Sequence, residues 1–122
     1  MGLAQLAGLT GLRILDLNDT KVTGEGLAHL KGLTRLQSLS LGGTKLKDAG
    51  LIHLKGLPRL RVLDLTDTDV TDAGLVYLKE LTELQCLHLD GTFVTREGVA
   101  VLQQALPNLK VDAPLLPACR LR

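Results

Sequence analysis

His88 follows Cys86 by two residues, and the interval from Asp64 to His88 is the one that also separates His29 from His53. A thiol, an imidazole and a carboxylate are the parts of nucleophilic catalysis: the imidazole takes the thiol proton and the carboxylate orients the imidazole. The same interval carries His53 on to Tyr77. Paired histidines at fixed spacing are a metal-ligand signal, but these have no carboxylate partner at a matching position. Gly42-Gly43 is glycine-rich like a phosphate loop, yet no Gly-Lys-Ser/Thr follows it. The shared interval points to a scaffold that repeats and stacks equivalent residues in columns.

The repeat runs through most of the chain. Leu12, Leu36, Leu60 and Leu84 are in step, as are Leu15, Leu39, Leu63 and Leu87, and Leu17, Leu41, Leu65 and Leu89. Thr20, Thr44, Thr68 and Thr92 follow, then Gly26, Gly50, Gly74 and Gly98, and the unit reads LxxLxLxxTx(V/L)xxxGLxxLxxL. Of the 122 residues 45% are hydrophobic but only 2% aromatic, so one side chain, leucine, is reused at equivalent positions instead of large rings filling an irregular core. The reading is a single domain of 1–122, with a partial repeat at 1–11, full repeats at 12–35, 36–59, 60–83 and 84–108, and a partial strand and tail at 109–122. The fourth copy gains one residue near Gln103-Gln104.

Within each unit the period changes. LxL alternates with period two, which predicts a short strand; GLxxLxxL has spacing three, which predicts a short helix. The helices are expected to start near Thr23, Lys47, Thr71 and Thr95, with Thr71-Asp72 supplying a hydroxyl cap and an acidic first turn. Lys31, Lys55 and Lys79 fall at the opposite, electronegative helix end, and Gly32, Gly56 and Pro58 end the helical stretch. One unit cannot bury its leucines alone, so the units stack into a continuous core. The recurring threonine is expected to satisfy backbone groups in the turn after each strand.

The segment Leu60-Arg61-Val62-Leu63-Asp64-Leu65-Thr66-Asp67-Thr68 and its continuation Val70-Thr71-Asp72-Ala73-Gly74-Leu75 resemble leucine-rich repeats. The unit is similar to the 24-residue, threonine-bearing repeats of bacterial proteins and to the cysteine-containing and ribonuclease-inhibitor-like types, over roughly residues 3 to 111. It departs from them in placing threonine where those classes carry asparagine or cysteine. The resemblance implies an α/β solenoid, a right-handed β-α superhelix with a parallel sheet on the concave face and short helices on the convex face. It implies a sheet that faces a partner, and no particular partner.

If the leucines of LxL point inward, their neighbours point to solvent. The outward columns are then Ile14, Ser38, Val62, Cys86 and Asp16, Ser40, Asp64, His88, with Asn18, Gly42, Thr66, Asp90 and Asp19, Gly43, Asp67, Gly91 at the loop edge. The candidate partner-binding residues are Ile14, Asp16, Asp19, Ser40, Val62, Asp64, Asp67, His88, Asp90 and Phe93, an acidic face with a few apolar contacts. Copies one and three share arginine and aspartate where copies two and four do not, a weaker period of two repeats.

These residues point to a protein-interaction module whose protein partner carries a basic or mixed-charge surface. The alternative is a structural or self-assembling segment of a longer repeat protein, joined as a homo-oligomer through an exposed N-terminal end. An enzyme is the remote alternative: Cys86 and His88 share one strand on an open sheet, without a water-excluding pocket or an oxyanion donor. No cofactor and no metal are expected. A net charge of +1 argues against nucleic acid, and no apolar run approaches the ~20 residues of a membrane span. The two cysteines, Cys86 and Cys119, have no recognisable spacing pattern, so no disulfide scaffold or zinc knuckle is expected and a reducing, cytoplasmic compartment is favoured. The start, Met1-Gly2-Leu3-Ala4-Gln5-Leu6, has no basic leader of a signal peptide.

Overall fold

The computed structural model describes residues 8–112. Five strands of three residues each, β1 (Ile14–Asp16), β2 (Ser38–Ser40), β3 (Val62–Asp64), β4 (Cys86–His88) and β5 (Lys110–Asp112), form one parallel sheet in the order of the chain. The register advances by one repeat at every step, so Leu15, Leu39, Leu63, Leu87 and Val111 stand side by side. Each of these central residues points into the core, and Leu39, Leu63 and Leu87 are fully buried.

Three-residue strands hold because the ladder continues into the turns. The Leu17, Leu41 and Leu65 N–H groups donate to the carbonyls of Ser40, Asp64 and His88, and those of Asp19, Gly43 and Asp67 donate to Gly42, Thr66 and Asp90, all at 2.8–2.9 Å. The repeating threonines close each turn from inside. The hydroxyls of Thr20, Thr44, Thr68 and Thr92 donate to the carbonyls of Leu17, Leu41, Leu65 and Leu89 at 2.7–2.8 Å. Thr44 and Thr68 are buried, where an unpaired hydroxyl would be costly.

The other layer is helical and begins where the sequence places it: Thr23, Lys47, Thr71 and Thr95 are the extended residues that precede the helices. The first three, Gly24–Leu30, Asp48–Gly56 and Asp72–Glu80, are 3₁₀ helices. Their leucines recur every third residue (Leu27, Leu30, Leu33; Leu51, Leu54, Leu57; Leu75, Leu78, Leu81), and a 3₁₀ helix lines up side chains at that spacing. The fourth, α1 (Arg96–Ala105), is an α-helix. Its buried positions Val99 and Leu102 and the capping Leu106 are spaced three and then four, which is the α period. The residue gained near Gln103-Gln104 thus changes the helix type. The chain then reaches its next inward residue in two steps, Leu109 to Val111, where earlier copies take three, as from Leu84 to Leu87. The fifth strand therefore rejoins the sheet in the same register as the others.

Two aspartates join neighbouring repeats: Asp72, which the sequence places as helix-start charge, and Asp48, its equivalent one repeat earlier. The Asp48 carboxylate accepts the Thr71 backbone N–H at 2.7 Å and the Thr71 hydroxyl at 2.5 Å. Asp72 does the same for Thr95. At the first junction the aspartate is replaced by Gly24 and the threonine by Lys47, so both halves of the bridge are missing together. There the backbones of Gly24 and Gly50 meet directly, and a Cβ on Gly50 would lie 2.6 Å from the Gly24 Cα. Leu12, Leu15, Leu17 and Val22 of the first repeat are only partly buried, whereas Leu36, Leu39, Leu41 and Leu46 of the second are fully buried.

Candidate functional site

The register builds the sheet face from two outward columns. One runs Ile14, Ser38, Val62, Cys86; the other runs Asp16, Ser40, Asp64, His88. On β5, Lys110 and Asp112 take the next register positions of the two columns. Of the residues expected to bind a partner, Ile14, Asp16, Ser40, Val62, Asp64 and His88 lie on the strands of this face. Ile14 is 71% exposed, while Ser40, Val62, Asp64 and His88 are partly covered by their neighbours. Asp19, Asp67 and Asp90 lie in the turns beyond the strands. Phe93 lies further out, on the segment leading to α1, where its N–H donates to the Val70 carbonyl at 3.0 Å and its side chain is 67% exposed. The ten residues therefore form a band from sheet to rim, and not one compact patch.

Backbone chemistry uses several of these side chains. One Asp16 oxygen accepts the Asn18 N–H and one Asp64 oxygen accepts the Thr66 N–H, both at 2.9 Å. Each bond fixes the direction of the carboxylate through one of its two oxygens. Asp19 and Asp67 have φ of 60° and 59°, and Gly43 and Gly91 at the equivalent positions have 73° and 76°. This column takes the left-handed conformation in all four repeats, which glycine adopts freely and aspartate tolerates. A Cβ on Gly43 would run into the Asp19 carboxylate, and one on Gly91 into that of Asp67. The alternation of aspartate and glycine at the turn is thus a steric fit between neighbouring repeats, and gives one physical source for the two-repeat period.

That fit separates conformation from charge at Asp67. Asp67→Gly is expected to hold its melting temperature to within the equivalent of about 0.5 kcal/mol, while Asp67→Val loses roughly 1–3 kcal/mol from forcing a branched residue into the left-handed region. Thermal denaturation of both variants checks this, and equal losses would show that the side chain, not the backbone, sets the preference.

The catalytic grouping raised by the sequence is partly assembled. Asp64 and His88 are partners across β3 and β4, and Cys86 lies on the same face as His88. Cys86, however, is 7% exposed and disulfide-bonded. This corrects the expectation of an exposed thiol at Cys86: the sulfur is buried and oxidised, and an oxidised sulfur has no thiolate with which to attack. Cys119 lies outside the described residues. His29, His53 and Tyr77 are on the helix side, and among the described residues no group of three or more His, Cys, Asp or Glu could hold a metal ion. No helix of the described residues is long and apolar enough to cross a membrane. Two concavities open on the helix side: a groove of about 790 Å³ beside Lys45, Lys47 and His53, and one of about 240 Å³ beside Leu75, Val76 and Val101.

Sequence reasoning misses Asp112, which shares the strand position of Asp16 and Asp64; stepping two repeats on from Asp64 finds it. It also misses Asn18, whose side-chain oxygen accepts the Gly42 N–H at 2.7 Å and ties the first turn to the second.

Residues 10–70 match the profile of the family described as leucine rich repeat. The chain belongs to that family. This leucine-rich-repeat chain is similar in structure to an internalin from Listeria monocytogenes, with a TM-score of 0.76 at 24% identity over 91% of this chain and 31% of the other. Internalin C2 from the same organism gives 0.70 at 29% identity, over 93% and 46%. A leucine-rich-repeat protein from Leptospira interrogans gives 0.72 at 23% identity, over 92% and 28%. All three are bacterial, in line with the repeat type read from the sequence. The chain spans less than half the length of each. No curated protein sequence matches the leucine-rich-repeat chain at a significant level.

Proposed function

We propose that this chain is a protein-interaction module whose partner, of basic or mixed charge, docks across the sheet face. The observation that carries the reading is the state of Asp16 and Asp64: each carboxylate is held in place by its own turn, on a sheet whose columns are in strict register. A charge already fixed in direction loses little freedom on binding. The docking band comprises Ile14, Asp16, Asp19, Ser40, Val62, Asp64, Asp67, His88, Asp90 and Phe93. Ile14 and Phe93, both well exposed, are the apolar contacts at its two ends. Membership of a family of repeat proteins, and likeness to longer proteins built on the same repeat, support an interaction role.

The test is capture of a partner by affinity purification with mass spectrometry, followed by binding with the purified partner. Reversing charge at Asp16, Asp64 and Asp90 to lysine should weaken binding by about tenfold or more while far-UV circular dichroism stays unchanged. Undiminished binding by a folded triple variant would exclude the sheet face.

A further inference from the structure

The spacing of charge across the sheet specifies more than its sign. Asp16, Asp64 and Asp112 occupy one register position on β1, β3 and β5, and Ser40 and His88 occupy it on β2 and β4. The turns follow the same phase, with Asp19 and Asp67 on the first and third repeats and Gly43 and Gly91 on the second and fourth. Acid is thus concentrated on every second strand; Asp90 departs from this phase but projects from a turn. At the strand-start edge, Arg13 and Arg61 are exposed on the same odd repeats. Parallel strands lie about 4.8 Å apart, so the aspartate positions recur at roughly 9.6 Å in a line that crosses the strands.

A ligand that pairs with all of them must present cations at that interval on one side. A β-strand repeats a face at about 6.8 Å, which is too short, and its next repeat, near 13.6 Å, is too long. An α-helix returns to the same face after seven residues, about 10.5 Å, and so drifts by about 0.9 Å at every step. A polyproline II helix has three residues per turn and a rise of about 3.1 Å, and so presents the same side every 9.3 Å or so. The mismatch of about 0.3 Å per step is small beside the reach of a lysine side chain.

We propose that the sheet face binds a basic peptide segment in the polyproline II conformation, laid across the strands with a cation at every third residue. This rests on the sheet face being the docking surface. The fixed carboxylates of Asp16 and Asp64 provide acceptors for neighbouring cations of the peptide, one turn of its helix apart.

The probe is a fluorescently labelled Lys-Pro-Pro-Lys-Pro-Pro-Lys peptide, compared by anisotropy with a peptide of the same composition in which lysines alternate with prolines. The spaced peptide should bind about tenfold more tightly, because only its lysines fall at the interval of the aspartate positions. Replacing Asp16, Asp64 and Asp112 together by asparagine should remove that preference. The amide oxygen of asparagine can still accept the turn N–H groups, and circular dichroism verifies the fold. Equal binding of the two peptides, a preference that survives in the asparagine variant, or no binding of either peptide overturns the inference. If neither peptide binds while charge reversal still abolishes capture of a purified partner, the docking face stands and only its specificity for this peptide class falls.

Discussion

Gly50→Val should cost the fold roughly 3 kcal/mol, because its added carbon meets backbone as well as a buried side chain. A Cβ at Gly50 would lie 2.6 Å from the Gly24 Cα and 2.7 Å from Leu46 Cδ1. Leu46 is fully buried, in a core where side chains are close-packed. Gly24 can yield only if the first 3₁₀ helix moves away from the second, which opens the interface between their leucines. At Gly74 and Gly98 the nearest atoms are instead the carboxylates of Asp48 and Asp72, so a substitution there first breaks the bridge to the next helix start. Gly56 is the control: a Cβ there meets only Lys31, at 3.7–3.8 Å. Thermal melts should place Gly56→Val within about 0.5 kcal/mol of the parent and Gly50→Val lower in Tm by roughly 10–20 °C. Matching melts for the two variants would show that the close approach of Gly24 and Gly50 does not constrain the stack.

The periodic features were legible because stacking makes every copy solve the same problem. The LxL alternation gives the strand position, and the repeat interval gives its neighbour, so the inward column from Leu15 to Leu87 could be read directly. The helix starts at Thr23, Lys47, Thr71 and Thr95 followed from the same logic. Helix type was not anticipated, although the spacing contained it: leucines three apart select 3₁₀ geometry, and the shift to three and four at Val99, Leu102 and Leu106 selects an α-helix. The outward face was harder, since position on a strand does not reveal what a side chain bonds. Asp16 and Asp19 read alike in sequence, yet one fixes its carboxylate on a backbone N–H and the other adopts a left-handed turn beside a glycine. Asp112 escaped because a residue added in the fourth repeat obscures the phase, although the interval of two repeats from Asp64 survives and the register of β5 follows it. The disulfide at Cys86 was not legible because alternation assigns a side chain to a face and says nothing of covalent partners.

Leu63→Ala tests how the stack shares its stability. Leu63 is fully buried on the central strand, with Leu39 and Leu87 in register on either side. Removing three carbons from such a site costs roughly 3–4 kcal/mol through lost burial and a residual cavity. Leu15 holds the same position on β1, has Leu39 beside it, and is only partly buried. In a nearest-neighbour stack a central residue supports two interfaces and a residue at the first strand supports one, so Leu15→Ala should cost about half as much. Urea denaturation of the two variants gives the ratio. A ratio near two supports independent interfaces; equal losses would mean that the five strands unfold from a single shared core to which Leu15 belongs as fully as Leu63. The outcome bears on the binding face as well. The spacing of Asp16 and Asp64 is set by the strand between them, so a stack with separable interfaces would let that spacing change when β2 loosens, whereas a single core would hold the two carboxylates in place until the whole chain unfolds.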